Sequence, residues 1–194
     1  MSDRLTLSCW LQSFHTLTLP VHWDALLRSF PYSKLDPAEF VTAKVHAISL
    51  AEPLILERRI AAPFDAAEVS QIAREFQHAD CAYELECAWD LMEPENGDWK
   101  LSPVEVSLWC FGPEFENELG DHVRIEFGME YLFLPVEGDA SSVRPAEANL
   151  RSMARLIKDI SDRLPVERKY LWSEGGTDFA EKLARFQVRG MRAQ

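Results

Sequence analysis

Acidic residues recur at alternate positions in three stretches of the chain, where carboxylates on neighbouring strands would act together. Several carboxylates on one surface can bind a divalent cation, and like charges held close together raise the pKa of one carboxyl so that it works as a general acid. A half-buried strand of an antiparallel sheet also presents such a face to solvent, and no spacing here is typical of a metal site. We therefore predict a solvated face with no metal and no cofactor. The candidate binding residues on it are Glu84, Glu86, Glu105, Trp109, Arg124, Glu126 and Glu130, with His122 in the same row.

Three aromatic residues, Trp10, Trp109 and Phe111, fall on the polar side of their predicted strands. Aromatic side chains dominate the energetic centres of protein interfaces, so these rings are candidate anchors for a partner. The alternative is that a helix or loop covers them inside the fold, because strand alternation does not reveal how many layers a sheet has. The sequence leaves both interpretations open.

Other chemistry-bearing patterns are weak. Residues 173–178 contain Gly175-Gly176 before a predicted helix start, where backbone amides can hold an anion. No lysine follows the glycines, and Glu174 and Asp178 would repel a phosphate, so the pattern favours a turn with a helix cap. No nucleophile elbow or HExxH motif is present.

The three acidic stretches, residues 83–91, 104–111 and 122–133, alternate polar and apolar side chains with a period of two, which is typical of half-buried β-strands. If they pair as neighbours, their acids share one surface. Side chains directly opposite each other on adjacent strands are about 5 Å apart, so these acids would repel each other unless positive groups cover them.

The rest of the chain supplies the supporting elements. The pattern through residue 91 predicts strand, helix, strand, strand, helix, strand, which resembles the ferredoxin-like element order. A strand, a strand, a long helix opened by Pro145, a strand near 170–172 and a last helix from Asp178 follow. We predict an α+β fold in which residues 1–190 form a single domain and 191–194 a frayed tail. The sheet is mainly antiparallel, and the helices pack mostly on one face.

The charge of the chain is unevenly distributed. Of a formal net charge of −12, residues 81–140 contribute 15 acidic and two basic side chains. So acidic a region argues against nucleic-acid binding, which needs Lys and Arg on one surface. Residues 141–194 carry an excess of bases, and Arg151, Arg155 and Lys158 of the long helix are candidates to cover the acidic strands, within one molecule or across a homodimer.

Two observations bear on the compartment. The first residues lead directly into a strand-like run without an apolar signal core, and no apolar stretch approaches the about 20 residues that span a bilayer. The four cysteines, Cys9, Cys81, Cys87 and Cys110, lie on the apolar sides of their strands and fit no zinc or CxxC spacing. We therefore expect a cytoplasmic protein with buried, reduced thiols and no membrane contact.

Together these patterns favour a binding protein over an enzyme. We expect an acidic sheet surface that captures a basic protein partner, as an inhibitor, immunity-type or adaptor protein does, because complementary charge steers association. The competing prediction is a hydrolase that uses the same carboxylates with a divalent metal. A third, suggested by the aromatic content, is a small-molecule binder with its pocket between the sheet and the long helix.

Overall fold

One antiparallel sheet and the helices on one of its faces make up the fold. A computed structural model describes residues 3–35, 40–173 and 179, and within those ranges the sheet has seven strands. The strands are β1 (Arg4–Leu11), β2 (Phe40–Ala47), β3 (Leu56–Ala61), β4 (Cys81–Glu95), β5 (Asp98–Phe111), β6 (Val123–Met129) and β7 (Val166–Ser173). The α-helices are α1 (Leu19–Ser29), α2 (Ala66–Glu75) and α3 (Val143–Arg163), and short 3-10 helices span Glu130–Phe133 and Ala140–Ser142.

The strand order is β3-β2-β4-β5-β6-β1-β7, and every ladder is antiparallel. The predicted α+β class, the element order and the single antiparallel sheet are confirmed. β5 and β6 lie between β4 and β1, so β1 and β2, which α1 connects, run parallel to each other with three strands between them. The additional strands therefore widen one sheet and do not form a second layer.

The three α-helices pack on one face of the sheet, as predicted. The apolar side of β4, which includes Leu85 and Trp89, shares one buried cluster with Trp23 of α1, Ile72 of α2 and Leu156 of α3. Asn149 of α3 fixes the long helix to β4, because its amide accepts a hydrogen bond from Met92 N at 2.8 Å and donates to Met92 O and Leu132 O. The opposite face carries no α-helix within the described residues, and we call it the open face.

Two predicted boundaries were wrong. The strands predicted at residues 83–91 and 104–111 are longer than expected, because Asn96 and Gly97, both with positive φ, form a two-residue turn that lets β4 and β5 pair up to it. The third acidic strand ends at Met129 and not at residue 133. Gly128 has a φ of +87° and interrupts the extended backbone, after which Glu130–Phe133 forms a 3-10 helix.

Among the three α-helices, α2 has a side-chain cap at its start. Asp65 accepts a hydrogen bond from Ala67 N at 2.9 Å, as residues that begin helices commonly do. The predicted last helix and the tail at 191–194 lie outside the described residues, apart from Phe179, which is buried. No helix within the described ranges combines the length and the apolar character needed to cross a bilayer.

Candidate functional site

Glu84 and Glu86 project from β4 onto the open face, but neither carboxylate is left uncompensated. Lys44 of β2 lies opposite Glu84, with its ammonium nitrogen 3.6 Å from a Glu84 oxygen, and it donates a hydrogen bond to Glu86. His46 Nε2 is 3.2 Å from the same Glu84 carboxylate. Burial alone would lower the pKa of Lys44, but the hydrogen bond to Glu86 and the charges of Glu84, Glu86 and Glu57 outweigh it and raise that pKa. This part of the face is a compact ion-pair network.

Arg124 and Glu126 of β6 also have partners inside the molecule. The Arg124 guanidinium donates to both carboxylate oxygens of Asp121, at 3.0 and 2.8 Å, and lies 4.7 Å from the centre of the Phe111 ring. Glu126 forms an ion pair with Arg4 of β1 at 3.3 Å. The pairing of β1 with β6 brings Arg4 to Glu126, whereas Asp121 lies three residues before Arg124 in the same segment, so both residues have a counter-charge nearby.

The remaining predicted acids, Glu105 and Glu130, differ from each other in position, and Glu105 lines a shallow pocket with Arg4 and Glu126. Glu105 of β5 is exposed and pairs in register with Ala88. Glu130 belongs to the 3-10 helix, is buried, and its backbone N–H donates to Asp3 O at 2.8 Å. The expectation that Glu130 continues the strand row was therefore wrong.

Trp109 and Phe111 are covered, whereas Trp10 is half-buried. Trp109 and Phe111 stack at 5.6 Å and form a second buried cluster with Ala82 and Phe115, the latter contributed by the loop at residues 112–121. The Trp109 indole nitrogen has no hydrogen-bond partner among the described residues. Trp10 lies under the Arg168 guanidinium at 3.6 Å. The loop that covers Trp109 makes it part of the fold's packing.

His122 plays a structural part at the edge of the row. Its Nδ1 accepts a hydrogen bond from Leu11 N at 2.9 Å, and its ring stacks on Phe14 at 4.2 Å. Burial lowers the pKa of His122 despite the nearby charge of Asp121. Within residues 3–35, 40–173 and 179, no group of three or more His, Cys, Asp or Glu side chains is arranged to hold a metal ion.

The bases of α3 do not cover the acids of the open face. α3 packs on the other side of the sheet, and Arg151, Arg155 and Lys158 are exposed there. Arg151 pairs with Glu147 at 3.8 Å and Lys158 pairs with Asp162, both on the same helix. The cations that neutralise the open face come from β1, β2 and β6.

The cysteines are free and buried, as expected. Burial raises the pKa of Cys9 to about 12 and also raises the pKa values of Cys87 and Cys110. A thiol needs a depressed pKa to act as a nucleophile at neutral pH, so these three side chains serve packing.

One end of the sheet carries a surface that the sequence interpretation missed. There the turn between β2 and β3 and the loop at residues 112–121 expose large apolar side chains, and we call this surface the corner. Its apolar members are Ile48, Leu50, Leu54, Ile55 and Leu119, of which Leu50 is 51% exposed. The signal in the sequence was the run of apolar residues around Pro53, which a solvent-exposed turn does not require.

Backbone hydrogen bonds hold the corner together. Glu116 N donates to Ile48 O at 2.7 Å, and Ile48 N donates to Asp80 O at 2.7 Å. Gly112 lets the loop approach, because a Cβ at this position would lie 2.3 Å from Ala79 O. The turn, the loop and the segment before β4 are thereby joined.

Ile48 itself is in a strained conformation. Its φ is +68°, and the Ser49 N–H donates to Ala47 O, two residues back, at 2.7 Å, which describes a γ-turn centred on Ile48. A positive φ is unusual for a β-branched residue, and such strain is concentrated at functional sites. The strained backbone at Ile48 places the apolar side chain of this residue in solvent.

Acidic side chains surround the apolar residues of the corner. Glu52, Glu114, Glu116 and Glu118 are all exposed, and none of them takes part in an ion pair within the part of the chain that the structure describes. The corner thus combines exposed apolar area with negative charge that nothing nearby neutralises.

The described residues therefore present two polar surfaces of different character: an open face whose acids are largely paired and a corner whose acids are not. No protein-family model, curated protein or solved structure gives a significant match to this chain. Its function is accordingly inferred from the arrangement of its own side chains.

Proposed function

We propose that the protein binds a basic partner protein through the corner. The observation that carries this proposal is the placement of the exposed apolar side chains of residues 48–55 beside the exposed carboxylates of Glu114, Glu116 and Glu118. A partner segment with apolar side chains flanked by Lys or Arg matches both features. The apolar contacts supply affinity, and the unpaired acids steer the encounter.

The open face is the weaker docking surface. A basic partner that approached Glu84 or Glu86 would compete with Lys44, which already lies against both carboxylates. Desolvating a paired acid costs free energy that the partner has to replace. At the corner, no described base competes with a partner for the acids. We therefore place the predicted binding of a basic partner at the corner and not at the row of strand residues.

The predicted homodimer and the predicted metal-dependent hydrolase are less compatible with the corner. A symmetric homodimer through this surface would place the same acids opposite each other, and like charges in contact are unfavourable. The metal-dependent hydrolase stays a prediction. It would need a cluster of ligands, and the described residues hold no group of three.

The test uses three fluorescently labelled synthetic peptides of equal length. One alternates Lys with Leu, one alternates Glu with Leu, and one alternates Lys with Ser. We expect the Lys/Leu peptide to bind most tightly by fluorescence anisotropy, with an affinity that falls as salt is added. Amide NMR shifts should concentrate at residues 48–55 and 114–119.

A charge-matched pair of variants locates the surface. Glu114→Gln/Glu116→Gln/Glu118→Gln should weaken the Lys/Leu peptide about tenfold, since three steering and contact charges are lost. Glu68→Gln/Glu147→Gln/Glu167→Gln removes the same charge from exposed positions elsewhere and should leave binding nearly unchanged. Equal weakening by both triple variants, or equal binding of the Glu/Leu and Lys/Leu peptides, would contradict the proposal.

A further inference from the structure

A separate cavity of about 520 Å³ is lined by residues that do not belong to the corner. It is bounded by the end of α1, the start of α2 and the strands β2 and β4. Its apolar wall is formed by Leu27, Phe30, Tyr32, Val41, Phe64 and Cys87. Cavities of about 300 to 1,000 Å³ with such walls are the usual size and character of small-molecule sites.

The aromatic part of the wall is fixed in position. Tyr32 donates its hydroxyl hydrogen bond to Leu27 O at 2.9 Å, and its ring meets Phe64 edge-to-face at 4.7 Å. Phe30 meets the other side of Tyr32 at 5.1 Å. A wall of three rings, in which Tyr32 packs against both Phe30 and Phe64, is a preformed surface for another aromatic ring, because aromatic rings favour edge-to-face and offset contacts.

The charged groups at the cavity are already engaged. Arg28 donates to both oxygens of Asp24, at 2.7 and 3.2 Å, and the Asp65 carboxylate accepts from Ala67 N at 2.9 Å as the cap of α2. Arg28 and Asp65 are also opposite in sign. Asp24 neutralises Arg28, whereas Asp65 keeps its negative charge, so an anionic ligand would enter without a counter-ion.

We propose that this cavity binds an uncharged, mostly apolar small molecule that contains an aromatic ring. The proposal does not depend on the function of the corner, because the cavity and the corner share no residue. The predicted pocket between the sheet and the long helix is thereby relocated, since α1 and α2, and not α3, line the cavity.

Two fluorescent probes of nearly equal shape test the charge of the ligand. N-phenyl-1-naphthylamine is neutral, and 8-anilino-1-naphthalenesulfonate adds one sulfonate to the same skeleton. Titrated into the full chain, the neutral probe should bind saturably at one site, and the anionic probe should bind at least about tenfold more weakly because its charge has no partner. Binding of both probes with equal affinity would overturn the ligand class.

Filling the cavity tests the site. Ala66→Leu adds side-chain volume at a lining position, and Ala62→Leu does so from a second position should the first variant fail to fold by circular dichroism. Either folded variant should bind the neutral probe at least about tenfold more weakly than the wild type does. Ala67→Leu makes the same change one residue along α2, outside the lining, and should bind like the wild type.

A last variant separates the cavity from the corner. Leu50→Ser/Leu54→Ser removes apolar side chains from the corner and should leave binding of the neutral probe unchanged. Loss of probe binding in this variant, or unchanged binding in the folded Ala66→Leu protein, would show that the probe does not occupy the cavity and would overturn the proposal.

Discussion

The open face and the corner are both rich in carboxylates, yet they differ in how those carboxylates are satisfied. On the open face, Lys44 and Arg4 reach the acids of the strands next to their own. At the corner, Glu114, Glu116 and Glu118 have no ion-pair partner among the described residues and stand beside exposed apolar side chains. The same composition thus yields a structural network in one region and an unsatisfied surface in the other.

The difference shows that the net charge of a sequence segment does not reveal which of its charged side chains are unpaired on the surface. Antiparallel pairing joins residues that are far apart in the chain, as Lys44 and Glu84 are, and so a base from a neutral segment can neutralise an acidic one. In the loop at residues 112–121, Arg124 pairs with Asp121, but no described base pairs with Glu114, Glu116 or Glu118. Position in a loop can therefore leave acids exposed and unpaired.

The largest expected effect comes from removing Lys44, the cation that lies against Glu84 and Glu86 on the open face. Lys44→Met should destabilise the protein by about 2 to 3 kcal/mol, because it leaves the mostly buried Glu84 and its neighbour Glu86 without a counter-charge. Urea denaturation measures the change. Glu116→Gln at the corner is the contrast and should shift the unfolding free energy by less than about 0.5 kcal/mol.

The coupling within the open face can be checked directly. Adding Glu84→Gln to Lys44→Met should recover part of the lost stability, since the unpaired buried charge is then removed. Additive effects of the two substitutions would mean that Lys44 and Glu84 are independent, and the contrast between the two regions would lose its basis.

An intermediate effect is expected from pH at the border of the two regions, where His122 follows the acidic loop. Burial lowers the pKa of His122 in the folded protein, whereas the unfolded chain keeps the ordinary pKa of 6.5. At a pH between the folded and the unfolded pKa, the unfolded chain therefore binds more protons than the folded one. Stability that is complete above pH 6.5 is therefore lost as the pH falls toward the lowered pKa. Urea midpoints measured across this range should fall, and they should fall less for His122→Gln.

The expected loss of stability at lower pH follows from the protonation of His122. The Nδ1 of His122 accepts the hydrogen bond from Leu11 N only while it carries no proton. The Gln carbonyl also accepts a hydrogen bond but does not titrate. Identical pH profiles for the wild type and His122→Gln would show that this bond does not limit stability.

The smallest expected effect is a gain. Ile48→Gly should raise the unfolding free energy by about 1 kcal/mol, because glycine adopts a φ of +68° without strain while its greater freedom in the unfolded chain offsets part of the benefit. The same substitution should weaken the Lys/Leu peptide. Leu50→Gly, where φ is not positive, is the control and should not gain stability. A destabilised Ile48→Gly protein would argue that Ile48 is retained for packing.

Much of the fold was predictable because period-two alternation is a local signal. The sides of β4 and β5, the helix face of Trp23 and Leu27, and the Asp65 cap all follow from neighbouring residues. The end of β6 was not predictable in the same way, since the apolar alternation continues through Tyr131 and Phe133 while Gly128 turns the backbone.

The candidate site was less accessible to sequence reasoning. Acids were assigned to one face correctly for Glu84 and Glu86, but their partner Lys44 comes from a strand whose pairing no local pattern specifies. The corner depends on a contact between residues 48 and 116, which are adjacent only in the folded chain. The unusual φ of Ile48 has no sequence signature, since isoleucine is disfavoured there.

Gly112 constrains both the corner and the buried aromatic cluster of the open face. The backbone oxygens of Ala79 and Cys81 would lie 2.3 and 2.6 Å from a methyl group at this position, and both oxygens already accept hydrogen bonds from the loop, from Glu114 N and Gly112 N. Any heavier residue would push the segment outward, lifting Phe115 from the Phe111 ring and Glu116 from Ile48 in one movement. The loop backbone that carries Glu116 therefore cannot move outward without also uncovering the aromatic cluster behind it, and a single hydrogen atom in place of a side chain sets that limit.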